Sequence, residues 1–168
     1  MALTYEPIVT YTVGSAVSDI SFTSITNTYT DLVISISSIS NGTNNPTIVT
    51  TINGDTGNSY SGVQVYSRTS GGAGGNKNID ASFISLARAA GISGVNNGKS
   101  MMTVYLFDYA NTTKFKGLLC QTYNYFGGVE QDAATWRSTA AITSINFNAG
   151  GNSWGIGTVY TLYGIKAA

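Results

Sequence analysis

Polar and apolar residues alternate along this chain in short bursts, and the bursts set the element type. In "DLVISISSIS" (31–40), Leu32, Ile34 and Ile36, continued by Ser38, fall on one side, while Val33, Ser35 and Ser37 fall on the other. A period of two with one apolar face is a half-buried strand. Comparable runs of β-formers recur as "PIVTYTV" (7–13), "DISFTSI" (19–25), "TIVTTI" (47–52), "GVQVYSR" (62–68), "ASFISLAR" (81–88), "MMTVYLFDY" (101–109), "KFKGLLCQTY" (114–123), "TWRST" (135–139), "AITSINF" (141–147) and "GTVYTLYGI" (157–165). Turn residues separate them, and no stretch carries helical apolar spacing. The series predicts an all-β fold, an antiparallel, jelly-roll-like β-sandwich, as one domain over residues 1–168.

Two runs break the simple alternation. "MMTVYLFDY" is apolar on both sides, with Met102, Val104 and Leu106 opposing Met101, Tyr105 and Phe107, which predicts a central strand or one covered on its second face. The last run behaves alike, with Val159, Tyr163 and Ile165 against Tyr160 and Leu162. It is expected inside a sheet or against another subunit, because a bare edge of that length invites aggregation. Between strands, "SNGTNNP" (40–46) and "NGDTGNS" (53–59) carry turn pairs, and "SGGAGGNKN" (70–78) reads as a flexible loop that orders on a partner or is a tolerated insertion.

Composition narrows the partners. Charged residues make up only 10% of the 168, and eight Lys and Arg balance eight Asp and Glu. A domain that grips phosphates should be basic, so nucleic acid is a poor partner. No apolar run approaches the roughly 20 residues that cross a bilayer, and "MALTYEPIVTYTV" lacks a signal-peptide pattern; the expectation is a soluble chain made in a cytoplasm. The lone Cys120 agrees with a reducing site of synthesis and reads as a small buried hydrophobe on a strand.

Candidate chemistry is sparse. The chain has no histidine, which removes the usual general base and the commonest metal ligand; with one Cys, closed zinc sites are excluded. "NGDTGNSY" lacks the EF-hand spacing, and Asp55 reads as capping its own turn. Glu130 and Asp132, in a Gly-flanked segment, read as a solvated loop rather than a catalytic pair. "NGT" and "NTT" match the glycosylation pattern but mean little without a secretory signal. No catalytic residue, cofactor or metal site is expected.

Aromatic residues remain: eleven Tyr, six Phe and two Trp. Most are expected to pack the sandwich, but Tyr123, Tyr125 and Phe126 in "TYNYFGGV" and Trp154 in "GGNSWGIG" sit among glycines and read as interface aromatics.

Read together, "TYEPIVTYTVGSAVSDISFTSITNTYTDLVISIS", "INGDTGNSYSG", "DYANTTKFKG", "WRSTAAITSINF" and "TLYGIKAA" make the chain resemble, from about Tyr5 to Ala168, small structural proteins of tailed bacteriophages. The resemblance implies a β-sandwich without enzymatic activity, and "SGGAGGNKN" and "TYNYFGG" depart from the pattern. The chain begins at Met1 and shows no fibre shaft or coiled coil, which favours a free-standing attachment to a shell. The reading is a capsid decoration or cement protein on the outer surface of the virion head, bridging copies of the major capsid protein and assembling with copies of itself as a trimer. Its expected contacts are the two termini and the aromatic turns: Tyr5, Pro7, Tyr123, Tyr125, Phe126, Trp154, Tyr160, Tyr163 and Ile165. The alternative is a tail-tip or fibre module that recognises cell-surface glycans through Tyr123, Tyr125, Trp136 or Trp154.

Overall fold

A computed structural model describes residues 4–42, 45–68, 72–91, 98–124 and 128–166. Strands are numbered in chain order. The larger sheet runs, in space, β1 (Thr4–Thr12), β13 (Val159–Lys166), β3 (Asp31–Ser40), β9 (Ser100–Phe107), β10 (Lys116–Asn124), β11 (Gly128–Trp136), β5 (Tyr60–Arg68) and β6 (Gly72–Ala81). Every neighbouring pair along that path is antiparallel; short β8 (Ala90–Gly91) lies parallel to the end of β3. The smaller sheet runs β2 (Asp19–Phe22), β12 (Ile145–Asn148), β4 (Thr47–Ile52) and β7 (Ile84–Arg88), also antiparallel. The described residues form no helix, as the missing helical periodicity predicts.

The two sheets close over one core. Ile20, Phe22, Ile48, Ile52, Leu86, Ile145 and Phe147 come from the smaller sheet; Leu32, Ile34, Ile36, Met102, Val104, Leu106, Leu118, Tyr160 and Leu162 come from the larger. Each such side chain contributes about 1.5–3 kcal/mol when fully buried. In β3 the split is the one read from the alternation, with Leu32, Ile34, Ile36 and Ser38 inward. β13 is an interior strand between β1 and β3, as expected.

Four strands cannot cover eight. The end strands project past the smaller sheet: β1 is exposed from Pro7 to Thr12 and β6 from Gly72 to Asp80. The Gly-rich run expected as a flexible loop is therefore, from Gly72 on, an edge strand; residues 70 and 71 lie outside the described residues. "TWRST" is not a strand of its own, since β11 already ends at Trp136, and β12 and β7 start only at Ile145 and Ile84. β9 is central, but Met101 and Phe107 on its outer face stay 54% and 45% exposed.

Candidate functional site

The outer face of the larger sheet is built from cross-strand rows. One row reads Ser67, Val129, Tyr123, Met101, Ser37, Val159, Thr12 from β5 to β1. The next reads Val65, Gln131, Gln121, Thr103, Ser35, Thr161, Thr10, and the third Val63, Ala133, Leu119, Tyr105, Val33, Tyr163, Pro7. All three cross seven strands without one charged residue. Val63, Val65, Val129, Met101 and Tyr123 are each more than half exposed. A shallow depression of about 520 Å³ lies among Val65, Gln121, Tyr123, Val129 and Gln131. Tyr, Thr, Ser and Gln on this face offer contact and hydrogen bonding to a partner surface.

The charge missing outside is found inside. On the inward faces of β11 and β5, Glu130 and Asp132 are buried at 3% and 2% exposure, beside Gln64 and Arg68. Arg68 donates from Nε and Nη2 to Glu130 Oε1 at 3.0 and 2.8 Å, and Gln64 Nε2 donates to Asp132 Oδ1 at 2.9 Å. Glu130 Oε2 and Asp132 Oδ2 have no partner. Burial pushes the Asp132 carboxyl up to about 7, and the neighbouring Glu130 adds to the rise. The solvated-loop reading of these acids is thus corrected: they are buried on the inner face of the larger sheet, where β7 of the smaller sheet packs on β11 and β5 and polar groups stand in for apolar packing. Val63, Val65 and Val129, which alternation alone would have turned inward, face solvent instead. The signal that could have found them was a matched set of polar partners at alternate positions of "GVQVYSR" and "VEQDAAT".

The expected contact residues divide. Tyr5 pairs in register with Ile165 and Pro7 with Tyr163 on the outer face, and the rings of Tyr5 and Tyr163 meet edge to face at 6.3 Å. Tyr123 is exposed on the same face, three strands from β13. Tyr125 and Phe126 lie outside the described residues.

Trp154 and Tyr160 are corrections: both are fully buried, 5.4 Å apart edge to face. Gly150, Gly151 and Gly157, all at positive φ, fold the loop back so that Trp154 bridges to Val17 and Ser40 and its Nε1 donates to the Phe147 carbonyl at 3.2 Å. Tyr160 is inward because alternation in β13 opposes it to the outward Tyr163. Trp136, a sugar-stacking candidate in the glycan reading, is also core, with Nε1 donating to Asp55 Oδ2 at 2.7 Å. That contact, with the Gly57 amide, holds the Asp55 carboxyl below its ordinary value.

Cys120 is buried on β10, as read, and burial raises its thiol pKa far above the ordinary value. No group of three or more His, Cys, Asp or Glu side chains is placed to hold a metal among the described residues. No family model matches the chain, and no curated protein sequence matches it.

Proposed function

We propose that this chain is a structural protein of a tailed-phage virion, a decoration or cement protein that lays the outer face of its larger sheet on major capsid subunits. The observation that carries this reading is the set of three uncharged rows spanning seven strands, with valines, Met101 and Tyr123 left open. Exposed valines, a methionine and a tyrosine gathered on a face without charge are a feature of partner-binding surfaces. Interface cores are depleted of charge because each buried unpaired charge costs more than contact returns. A flat face that desolvates cheaply suits binding in many copies, where linked subunits gain from high effective concentration. Self-assembly, as a trimer, belongs to the same proposal.

The test is immunogold labelling of intact virions, paired with rebinding to shells stripped of the protein. Label over the head at high copy is the expected result. The variant V65K/V129K, altered only at outward, more than half exposed positions, should keep the wild-type circular dichroism spectrum and lose at least tenfold in shell affinity, on the order of 1.4 kcal/mol or more. Label confined to the tail end, or rebinding that the two lysines leave unchanged, would overturn the reading and favour a receptor-binding role.

A further inference from the structure

We propose that the cleft between the β5–β6 overhang and β7 is a binding site for one neutral sugar ring. The cleft holds about 260 Å³ and is lined by Gln64, Asn78, Phe83, Ser85, Arg88 and Asp132, among others. That is slightly below the roughly 300–1,000 Å³ of pockets for drug-sized ligands, a size for a single ring. The inference is independent of capsid docking, because the cleft opens on the inner side of the sheet and leaves the outer face free.

Asp132 sets the chemistry. It is 2% exposed, Oδ1 is taken by Gln64, the Ala87 amide of β7 lies against the carboxyl, and Oδ2 has no partner at full hydrogen-bond geometry. Asn76 Nδ2 donates to Gln64 Oε1 at 3.0 Å, so the Gln64 amide is held with its N–H toward the carboxyl and Oδ2 stays the open acceptor. A buried acceptor without a donor costs about 1–3 kcal/mol. An incoming hydroxyl removes that cost. Nearer the mouth, Asn78 donates to Ser85 Oγ at 3.3 Å, and Arg88 is exposed with no ion pair among the described residues. These groups both donate and accept, which matches a ligand whose hydroxyls do the same. Phe83, 37% exposed, supplies an apolar wall for the C–H face of a ring.

Other ligand classes fit worse. A metal ion would find the Asp132 carboxylate as the single acid in the lining, and no group of three acids, Cys or His is placed to hold one among the described residues. An anion would have to approach Asp132.

The experiment titrates the ¹⁵N-labelled chain at pH 7.5 with D-glucose, D-galactose, D-mannose and N-acetyl-D-glucosamine, each to about 100 mM, since one ring on a few polar groups binds at roughly millimolar strength. At least one sugar should shift the amide signals of Gln64, Asn76 and Asn78 saturably. Asp132→Asn should weaken that sugar at least tenfold, and Phe83→Ala, at an exposed position, at least threefold. The inference is overturned if no sugar gives a saturable shift, if the shifts gather around Tyr123 on the outer face, or if both variants bind as the parent does.

Discussion

Asp132 should make the protein less stable as the pH rises through neutrality, against the usual behaviour of a carboxylate. Its carboxyl is pushed up to about 7 in the folded chain, from an ordinary 3.8. The folded state therefore holds this proton more tightly than the unfolded state does. Stability from that preference is complete below about pH 4 and is lost progressively up to about pH 7. With 1.36 kcal/mol per pKa unit, the loss is about 4 kcal/mol, an appreciable part of the 5–15 kcal/mol that holds a typical domain. The groups around it do not reverse the sign: burial and Glu130 raise it, the Arg68 guanidinium is engaged by Glu130, and Gln64 and the Ala87 amide lower it without adding charge. Asp132→Asn keeps the shape and the Gln64 contact and removes the ionisation. Urea denaturation of parent and variant, followed by circular dichroism at pH 5.0 and 8.5, should show the variant more stable by about 4 kcal/mol at pH 8.5 and by only about 1.5 kcal/mol at pH 5.0. Equal differences at the two pH values would refute the reasoning, because they would place the Asp132 titration outside that window.

Two further outcomes test the core. Trp154→Ala removes a fully buried indole and its bond to the Phe147 carbonyl, so it should cost about 3–5 kcal/mol and lower Tm by roughly 10 °C or more in a thermal melt; a drop under about 3 °C would mean that the loop does not depend on this residue. A Cβ at Gly164 would land in the ring of Tyr29. Gly164→Ala should therefore cost about 1–3 kcal/mol, and a double-mutant cycle with Tyr29→Ala should recover at least half of it in chemical denaturation.

The strands that sequence made legible are those whose alternation is apolar against small polar. In β3 the alternation picks out the inward Leu32, Ile34, Ile36 and Ser38, although Val33 and Ile39 are buried as well, and β13 reads as a strand inside a sheet or against another subunit because both its faces carry large side chains. β6 was not legible, since glycine, asparagine and lysine have little strand preference of their own. Its order comes from outside the segment. A Cβ at Gly74 would come within 2.8 Å of the Tyr66 hydroxyl, so that ring lies over the glycine; Arg68 stacks 3.8 Å above the same ring and is itself fixed by buried Glu130. An aromatic across an edge glycine supplies the packing that the glycine lacks. Trp154 is hidden from the sequence for a related reason: an aromatic among glycines reads as part of an exposed turn, whereas here Gly150, Gly151 and Gly157 at positive φ turn the chain sharply enough to bring the indole inside.

Alternation fixes the period of a strand and leaves its side open. For β5 and β11 an apolar-in rule would turn Val63, Val65 and Val129 to the core and Gln64, Arg68, Glu130 and Asp132 to water, and the fold does the reverse. The reversal is stable because the polar set meets its own complement across two neighbouring strands, whereas scattered single charges would each pay full desolvation. It is also what keeps charge out of the three outer rows between β5 and β1. With Glu130 and Arg68 joined inside, and Lys116 buried with its Nζ donating to the Lys114 and Thr139 carbonyls, charge is withdrawn from the broad sheet.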